Sequence, residues 1–416
     1  MDKTVRRGRV TGSVTPPSSK SYAQRAIAAA LLANGTTTLR GVELCDDTEA
    51  ALDVIQTLGA EVEQIDKHTY KIKGGLSPRA NLLNIGESGL STRLFTPIAS
   101  LCDSPITVTG HGSIMRRPIS MMTGPLEKLG VEVHCKDGLL PITVKGPLQG
   151  GEVEVDGSVS SQFITGLLTA LPCAKEDTVI YVDTLNSKPY IDMTISTAES
   201  FGVDIVHRDY KEFFVQGGQE YKAVDYNIEG DWSGASCLLV AGAIAGDVVV
   251  NNLNPLSLQA DKAIIKALTD AGAEITTTEN SVRVAARPLR AFEFDATDCP
   301  DLFPALATLA ANCEGESVII GTNRLQSKES NRAETIASEF GKLSIEVDIT
   351  EDNVMRIRGG VPCGGTVDSF GDHRIAMTLA VLALNAEGEI TITGAESVHK
   401  SYKDFWEDYD KLIVNE

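Results

Sequence analysis

The stretch Leu58-Gly59-Ala60-Glu61-Val62 decides the fold, because variants of it return at regular intervals along the chain. Each copy has an apolar residue, a small residue, a second apolar residue, an acid and a β-branched residue. The second positions of the five copies are Gly59, Gly130, Gly202, Gly272 and Ser344, with steps of 71, 72, 70 and 72 residues. A segment with helical periodicity precedes each copy, and glycine favours the left-handed conformation that often ends a helix. The stretch therefore predicts a helix end followed by a strand.

A second marker repeats with the same period. Segments rich in alanine and leucine lead, through a small or polar turn, into short β-branched runs. These runs contain Thr37, Ile106, Val179, Val248, Val318 and Ile390, which are separated by 69, 73, 69, 70 and 72 residues. Two independent markers with one period predict six copies of an α/β unit with two helices and several short strands. Six such copies form either one ring or two groups of three.

The composition is that of a large globular protein. Of its 416 residues, 42% are apolar and 23% are charged, which is enough to form a core without disulfides or metals. The 37 basic and 57 acidic side chains give a net charge of −20. Because this charge repels nucleic acids and anionic membrane surfaces, we expect neither as a partner.

The cysteines and the hydropathy indicate the cellular compartment of the protein and whether it binds a metal. The eight cysteines are scattered, without a C-x-x-C pair or a histidine at zinc-ligand spacing, so we expect reduced thiols and no metal site. There is no run of about 18 apolar residues and no apolar core of a signal peptide at the start. These features predict a soluble protein of the cytoplasm.

Lysine and arginine occur where the helices are expected to begin. Lys20, Arg25, Arg93 and Arg374 are predicted to lie in first turns, where a cation opposes the helix dipole. The other helix series has cations at similar places, namely Arg117, Lys188, Lys328 and Lys400. Repeated exceptions of this kind indicate a bound anion, phosphate or carboxylate, at convergent helix starts. The alternative is that these cations face solvent.

Polar and acidic residues accompany these cations. Ser160, Ser161, Gln162 and Tyr190 can hydrogen-bond a polyhydroxylated or phosphorylated ligand, and Asp301 and Glu329 can move protons if cations and burial shift their pKa values. Ion pairing is the alternative role for both acids. The chain has no P-loop, G-x-G-x-x-G or H-E-x-x-H motif, so nothing indicates nucleotide, dinucleotide or zinc chemistry.

Several blocks resemble the 5-enolpyruvylshikimate-3-phosphate synthase family, in order, from about residue 10 to 405. They are Pro17-Ser18-Ser19-Lys20-Ser21, the run from Gly86 to Arg93, Arg117-Pro118, the run from Asp156 to Phe163, the run from Ser187 to Asp192, Pro300-Asp301, Lys328-Glu329 with Arg332, and Asp372-His373-Arg374.

The resemblance implies an architecture and a reaction. The family has two inside-out α/β barrel domains, each of three βαβαββ units, with helix starts facing a cleft between them. One domain would span residues 15–224, and the other would combine 1–14 with 225–416. The family transfers the enolpyruvyl group of phosphoenolpyruvate to the 5-hydroxyl of shikimate 3-phosphate and releases phosphate. It needs no metal or organic cofactor, and we expect a monomer whose partners are these two small molecules.

The resemblance also implies residue roles. The positions that match shikimate 3-phosphate contacts are Lys20, Ser21, Arg25, Ser160, Ser161, Ser187, Tyr190, Asp301 and Lys328. Those that match phosphoenolpyruvate contacts are Lys20, Gly89, Arg117, Gln162, Arg332, Arg374 and Lys400. Asp301 and Glu329 match the acid/base pair, with Lys20 as a further catalytic candidate. Asp301 would accept the hydroxyl proton, and Glu329 or Lys20 would protonate the methylene carbon.

Three positions depart from the family pattern, and one of them is Leu90, which replaces a usual threonine. Glu87 stands where most members have asparagine, and would repel an anion unless Arg93 or Arg117 neutralises it. The block around Lys400 is looser than the family form.

Three alternative functions remain. UDP-N-acetylglucosamine enolpyruvyl transferase shares the fold and chemistry, but it usually has a reactive cysteine before its Arg-Pro motif, and residues 111–115 contain none. An RNA 3′-phosphate cyclase conflicts with the negative charge. A non-catalytic repeat scaffold conflicts with the gathered cations and acids.

Overall fold

The computed structural model describes residues 1–158, 160–326 and 328–414. The chain divides into two compact units, Ser18–Ile228 and Met1–Pro17 with Glu229–Glu416. The predicted domain boundaries, after residues 14 and 224, precede these divisions by three and four residues.

The unit Ser18–Ile228 contains six α-helices in its described residues and three four-stranded sheets. The helices are α1 (Lys20–Leu32), α2 (Asp46–Thr57), α3 (Gly89–Ala99), α4 (Ser120–Lys128), α5 (Gln162–Ala170) and α6 (Lys188–Ser200), with 3-10 turns at Gly112–Arg116 and Leu171–Cys173. In spatial order the sheets are Asp225–Asn227, Thr36–Arg40, Thr69–Lys73, Glu61–Gln64; then Leu82–Asn84, Ile106–Thr109, Leu139–Lys145, Glu132–Lys136; then Gly151–Gly157, Thr178–Leu185, Glu212–Val215, Ile205–Arg208.

The unit formed by Met1–Pro17 and Glu229–Glu416 follows the same plan. Its helices are α7 (Trp232–Ala245), α8 (Ile264–Ala271), α9 (Phe303–Ala311), α10 (Arg332–Lys342), α11 (His373–Leu382) and α12 (Phe405–Leu412), with 3-10 turns at Ala260–Ala263, Pro300–Leu302, Thr322–Arg324, Ala383–Asn385 and Ala395–Lys400. Its sheets are Glu274–Thr277, Ser281–Ala285, Gly246–Asn251, Val10–Val14; then Glu293–Asp295, Glu316–Ile320, Val354–Arg358, Glu346–Asp348; then Lys3–Val5, Glu387–Thr393, Cys363–Asp368.

The sheets show how the repeat is built. Each four-stranded sheet contains one pair of parallel strands, and an antiparallel hairpin adds the other two strands. The first copy in each unit takes its parallel edge strand from a distant part of the chain: Asp225–Asn227 pairs with Thr36–Arg40, and Val10–Val14 pairs with Gly246–Asn251. The predicted α/β fold of repeated βαβ units is confirmed.

The helices form the interior of each unit. Every residue of α3, α9 and α11 is buried, including the polar residues of α3 and α11 such as Arg93 and Arg374. In one unit α3 packs against α1 and α5, and in the other α7, α9 and α11 pack against one another. Of the helices in residues 1–158, 160–326 and 328–414, none is both long and apolar enough to cross a bilayer.

The predicted helix ends are confirmed at the glycines. Gly59, Gly130, Gly202 and Gly272 have φ values of +122°, +82°, +79° and +94°. Ser344, at the equivalent place in the degraded copy, also adopts a left-handed conformation, with φ of +65°. Because a residue with Cβ is strained there, the backbone turn is imposed by the repeat rather than by the local residue.

Candidate active site

Lys20 is the first residue of α1, where Ser19 caps the helix by accepting a hydrogen bond from Tyr22 N at 3.4 Å. The Lys20 Nζ lies 2.9 Å from Asp47 Oδ2. Asp47 belongs to the first turn of α2, and its side chain is only 6% exposed. This buried carboxylate holds the ammonium at a helix start, where the dipole alone would disfavour it.

Arg25 connects three helices through neutral acceptors. Its Nε donates to Thr194 Oγ1 at 2.9 Å, and its Nη1 donates to Ser21 O at 2.8 Å. Its Nη2 donates to Tyr190 O at 3.0 Å and Thr165 Oγ1 at 3.4 Å. Burial lowers the pKa of this guanidinium to about 10. A buried cation bonded to neutral oxygens is a favourable neighbour for an anion.

Arg93 and Arg117 lie side by side at the start of α3. Arg93 donates to the carbonyls of Gly89 and Pro118, both at 3.0 Å, and its Nη1 lies 3.5 Å from Gln162 Oε1. A Cβ on Gly89 would lie 2.6 Å from Arg117 Nη1, so a larger residue here would displace the end of the Arg117 side chain. Burial, and then the charge of Arg117, lower the pKa of Arg93 to about 9. Two adjacent guanidiniums favour a phosphate or carboxylate.

The serine positions lie at the starts of two further helices. Ser161 is the buried N-cap residue of α5, and Ser160 Oγ accepts a hydrogen bond from Gln162 N at 3.2 Å. Ser187 is the N-cap residue of α6 and has a left-handed φ of +61°. Its carbonyl accepts from Tyr190 N at 3.1 Å. Strain at a non-glycine residue of this kind is typical of functional loops.

In the other unit, Arg332 joins three carboxylates. It is the first residue of α10, and its side chain is 1% exposed. Its guanidinium donates to Asp372 Oδ2 and Asp301 Oδ1, both at 2.8 Å, and to Glu329 Oε2 at 2.9 Å. Although burial opposes its charge, these carboxylates raise the pKa of Arg332. The acid/base pair expected from the sequence is therefore held on a single guanidinium.

Asp301 also contacts two further cations. Lys328 Nζ donates to its Oδ1 at 3.1 Å, and Arg374 Nη2 lies 3.4 Å from its Oδ2. Burial would raise the pKa of Asp301, but Lys328, Arg374 and Arg332 hold it well below its usual range. Asp301 is accordingly ionised at neutral pH, which is the form needed to accept a proton.

Lys400 and Arg374 complete the cation cluster. The buried Lys400 Nζ lies 3.9 Å from Glu329 Oε1. Asp372 caps α11 by accepting a hydrogen bond from Arg374 N at 3.0 Å and also accepts one from Arg332, so the start of this helix lies beside the cluster. Lys328, Arg332, Arg374 and Lys400 give four positive charges against the three carboxylates of Asp301, Glu329 and Asp372.

One part of the sequence interpretation is corrected, and the structure adds contacts to a second. Arg25 and Arg93 do not lie in first turns: α1 begins at Lys20 and α3 at Gly89, so both arginines are in second turns and reach back to carbonyls one turn earlier. The carboxylate of Glu87 accepts hydrogen bonds from Ser113 N at 2.9 Å and Ser113 Oγ at 2.7 Å. Neutral donors therefore share in stabilising this charge, beside any effect of the arginines.

Asp47 and Asp372 are functional residues that the sequence pattern does not reveal. An acid in a first turn is ordinary for a helix, so Asp47 carries no signal until its distance to Lys20 is known. Asp372 has the appearance of an ordinary N-cap residue, and only the structure reveals its bond to Arg332.

Within each unit, cations and polar groups gather at helix starts, and in one of them two carboxylates share an arginine. Such sites are typical of enzymes that bind phosphorylated or carboxylated small molecules and move protons on them.

Comparisons with known proteins give the family. The family model described as EPSP synthase (3-phosphoshikimate 1-carboxyvinyltransferase) matches residues 5–409. The 3-phosphoshikimate 1-carboxyvinyltransferases of Clostridium novyi (strain NT) and Clostridium kluyveri are 36% and 38% identical, over 98% and 97% of this chain and 97% and 95% of theirs. An EPSP synthase structure from Acinetobacter baumannii has a TM-score of 0.85 and 26% identity, covering 100% of this chain and 98% of its own. The chain belongs to the EPSP synthase family.

Proposed function

We propose that this protein transfers the enolpyruvyl group of phosphoenolpyruvate to the 5-hydroxyl of shikimate 3-phosphate and releases phosphate, acting as a monomer. Family membership supports this reaction. The observation that carries the proposal is the guanidinium of Arg332, which holds Asp301 and Glu329 at 2.8 and 2.9 Å. An enzyme that must remove one proton and add another needs two such groups in a defined arrangement.

Phosphoenolpyruvate carries a phosphate and a carboxylate. We assign it Lys20, Gly89, Arg117, Gln162, Arg332, Arg374 and Lys400. The adjacent cations Arg93 and Arg117 support this assignment, since buried guanidiniums bind such groups through charge-assisted hydrogen bonds. Arg93 adds a positive charge beside these residues and holds Gln162.

Shikimate 3-phosphate combines hydroxyls with a phosphate and a carboxylate. We assign it Lys20, Ser21, Arg25, Ser160, Ser161, Ser187, Tyr190, Asp301 and Lys328. The bonds from Arg25 to the carbonyls of Ser21 and Tyr190, at 2.8 and 3.0 Å, support the assignment because they tie two of these positions to one cation.

The addition step forms a tetrahedral intermediate. The 5-hydroxyl oxygen bonds to C2 of phosphoenolpyruvate while its proton passes to Asp301. Carbon C3 takes a proton and becomes a methyl group. Glu329 and Lys20 are the candidate groups for this transfer. The ammonium of Lys20 suits the donor role, while the Glu329 carboxylate, held by Arg332, suits the acceptor role.

The elimination step reverses the proton transfers. A methyl proton returns to the protein, the C2=C3 double bond reforms, and the bond from C2 to the phosphate oxygen breaks. The proton that Asp301 accepted passes to the leaving phosphate, and nearby lysines and arginines stabilise the negative charge of this group. Cations that strengthen their contacts as this charge develops lower the barrier.

Phosphate release tests the proposal. Phosphoenolpyruvate is given with shikimate 3-phosphate in one tube and with UDP-N-acetylglucosamine in another. We expect release only in the first, with a drop of about 100-fold or more in Lys20→Ala, because the variant loses a group that contacts the reacting atoms. Lys175→Ala, which changes an exposed lysine of the same unit, should keep full activity. Release only with the nucleotide sugar would contradict the proposed substrate.

A further inference from the structure

A further buried carboxylate, Asp261, lies beside the cation cluster and has no role in the reaction as described above. It belongs to the 3-10 turn Ala260–Ala263, and the residue is 1% exposed. Ser233 Oγ donates to its Oδ2, whereas its Oδ1 is buried without a hydrogen-bond partner among the described residues. Such an orphan oxygen is rare in folded proteins and requires a physical explanation.

The position of Asp261 is fixed by Gln259, two residues earlier in the chain. Gln259 Oε1 accepts a hydrogen bond from Trp232 N at 3.1 Å, at the start of α7. Gln259 Nε2 donates to Glu229 Oε1 at 2.7 Å and Gly230 O at 2.8 Å. The turn is thereby clamped to the first turn of α7, so the carboxyl group cannot swing away to solvent.

Several charged and titratable groups surround this carboxyl group. The 3-10 turns of Asp261 and Asp301, and helix α11 with Arg374, all pack against α7. Asp231 acts on Asp261 from the N-cap of α7, Cys299 and Asp301 from the turn into α9, and Arg374 from α11. Helix α8 also packs on the turn, but its ion pair of Lys266 and Asp270 is exposed.

These surroundings determine the charge of Asp261. Burial, and then the negative charge of Asp301, raise its pKa to about 7, against an opposing effect of Arg374. A protonated carboxyl group explains how Oδ1 can be buried at low cost. The group therefore changes its charge near neutrality, close to an arginine that we assign to phosphoenolpyruvate.

We propose that Asp261 is a positioning residue whose charge sets how strongly Arg374 attracts the phosphoenolpyruvate anion. This inference rests on the proposed function. When Asp261 is neutral, the Asp301 carboxylate is the close counter-charge of Arg374, at 3.4 Å. When Asp261 is ionised, a second negative charge offsets the field of Arg374, and the anion binds more weakly. Affinity for phosphoenolpyruvate thus falls as Asp261 loses its proton.

The test compares wild type with Asp261→Asn, which keeps the shape and fixes the group as neutral. The dissociation constant for phosphoenolpyruvate is measured by calorimetry, and its KM by phosphate release, at about pH 5.5 and 8.5. Because both proteins meet the same ionic form of the ligand at each pH, the ratio of wild type to variant isolates Asp261. We expect a ratio near one at the lower pH and about threefold or more at the higher pH.

Two further variants provide a control and a second test of the role of Asp261. Asp270→Asn changes an exposed acid of the same unit, and the ratio of the wild-type to the variant dissociation constant should be near one at both pH values. Ser233→Ala removes a hydrogen-bond donor to the ionised Asp261 carboxylate and so raises the pKa of this group. The pH at which affinity for phosphoenolpyruvate falls should therefore move higher. This variant tests the inference by itself if Asp261→Asn does not fold.

A ratio that is the same at both pH values, or an unmoved transition in Ser233→Ala, would overturn the role of Asp261. If wild type shows the pH-dependent ratio in calorimetry but releases no phosphate with shikimate 3-phosphate, the proposed function fails while the role of Asp261 stands.

Discussion

Arg332 stabilises the site through three carboxylates, so its removal leaves buried negative charges unpaired. We expect Arg332→Ala to lower the free energy of unfolding by about 3–5 kcal/mol, measured by denaturant unfolding. Arg356→Ala is the matched control, because Arg356 is 36% exposed and pairs with Glu351 at 2.7 Å on the surface of the same unit. Its loss should cost under about 1 kcal/mol. Equal costs for the two variants would contradict the account.

The raised pKa of Asp261 makes the stability of the protein depend on pH. Its pKa is raised to about 7 in the folded protein, so between its usual range and pH 7 the folded state binds a proton that the unfolded state has lost. Stability therefore falls as pH rises through this window, and the loss is complete above about pH 7. The free energy of unfolding of Asp261→Asn should exceed that of wild type by up to about 4 kcal/mol at pH 8, and the two should be equal near pH 4. A constant difference in thermal unfolding across this range would contradict the shift.

The sequence alone indicates which residues take part in the chemistry, but it indicates their contact partners less well. Lys20, Asp301 and Glu329 stand out from the repeat and from the family motifs. Asp47 and Asp261 do not, because their partners lie 27 and 28 residues away in the sequence and are fixed only by tertiary packing. Arg25 and Arg93 illustrate the same limit, since their contacts depend on where α1 and α3 begin, and both arginines lie one turn later than predicted.

The left-handed residue that lies one or two positions after the ends of α2, α4, α6, α8 and α10 tests the repeat at the level of its elements. Gly272 ends α8 with φ of +94°, and a Cβ there would meet nothing closer than Pro288 O at 3.6 Å. We expect Gly272→Ala to cost about 1 kcal/mol from backbone strain alone. Ser344→Gly, at the equivalent turn with φ of +65°, should stabilise by roughly 0.5–1 kcal/mol. Chemical denaturation of both variants measures these changes, and effects of the same sign would contradict a shared turn.

Regular elements follow from the sequence wherever the pattern is local. The strand Ile106–Thr109 and the glycine turns agree with the predicted runs. The pairing of Val10–Val14 with Gly246–Asn251 does not follow, because no local signal joins segments more than 200 residues apart. The repeat period sets the number of copies, while sheet closure depends on long-range contacts.

The division of the whole chain makes a prediction about fragments. Residues 18–228 are continuous and contain a complete core, so this fragment should unfold cooperatively on its own. Residues 229–416 lack Lys3–Val5 and Val10–Val14, each an edge strand of a sheet in that unit. We expect this fragment to be less stable alone and to gain thermal stability when a peptide of residues 1–17 is added.

A peptide in which Val10 and Val14 are replaced by Asp is the control, because both side chains are buried. Equal stabilisation by the two peptides would contradict specific strand addition.

Labelling of the product tests the central claim most directly. The proposed reaction makes C3 of phosphoenolpyruvate a methyl group with one proton from an exchangeable group of the protein, and then removes a proton from it. In D2O, with shikimate 3-phosphate as acceptor, mass spectrometry should find deuterium in the methylene of the enolpyruvyl product. A product without deuterium would show that C3 is never protonated from an exchangeable group, and would contradict the addition–elimination mechanism and the roles of Lys20 and Glu329.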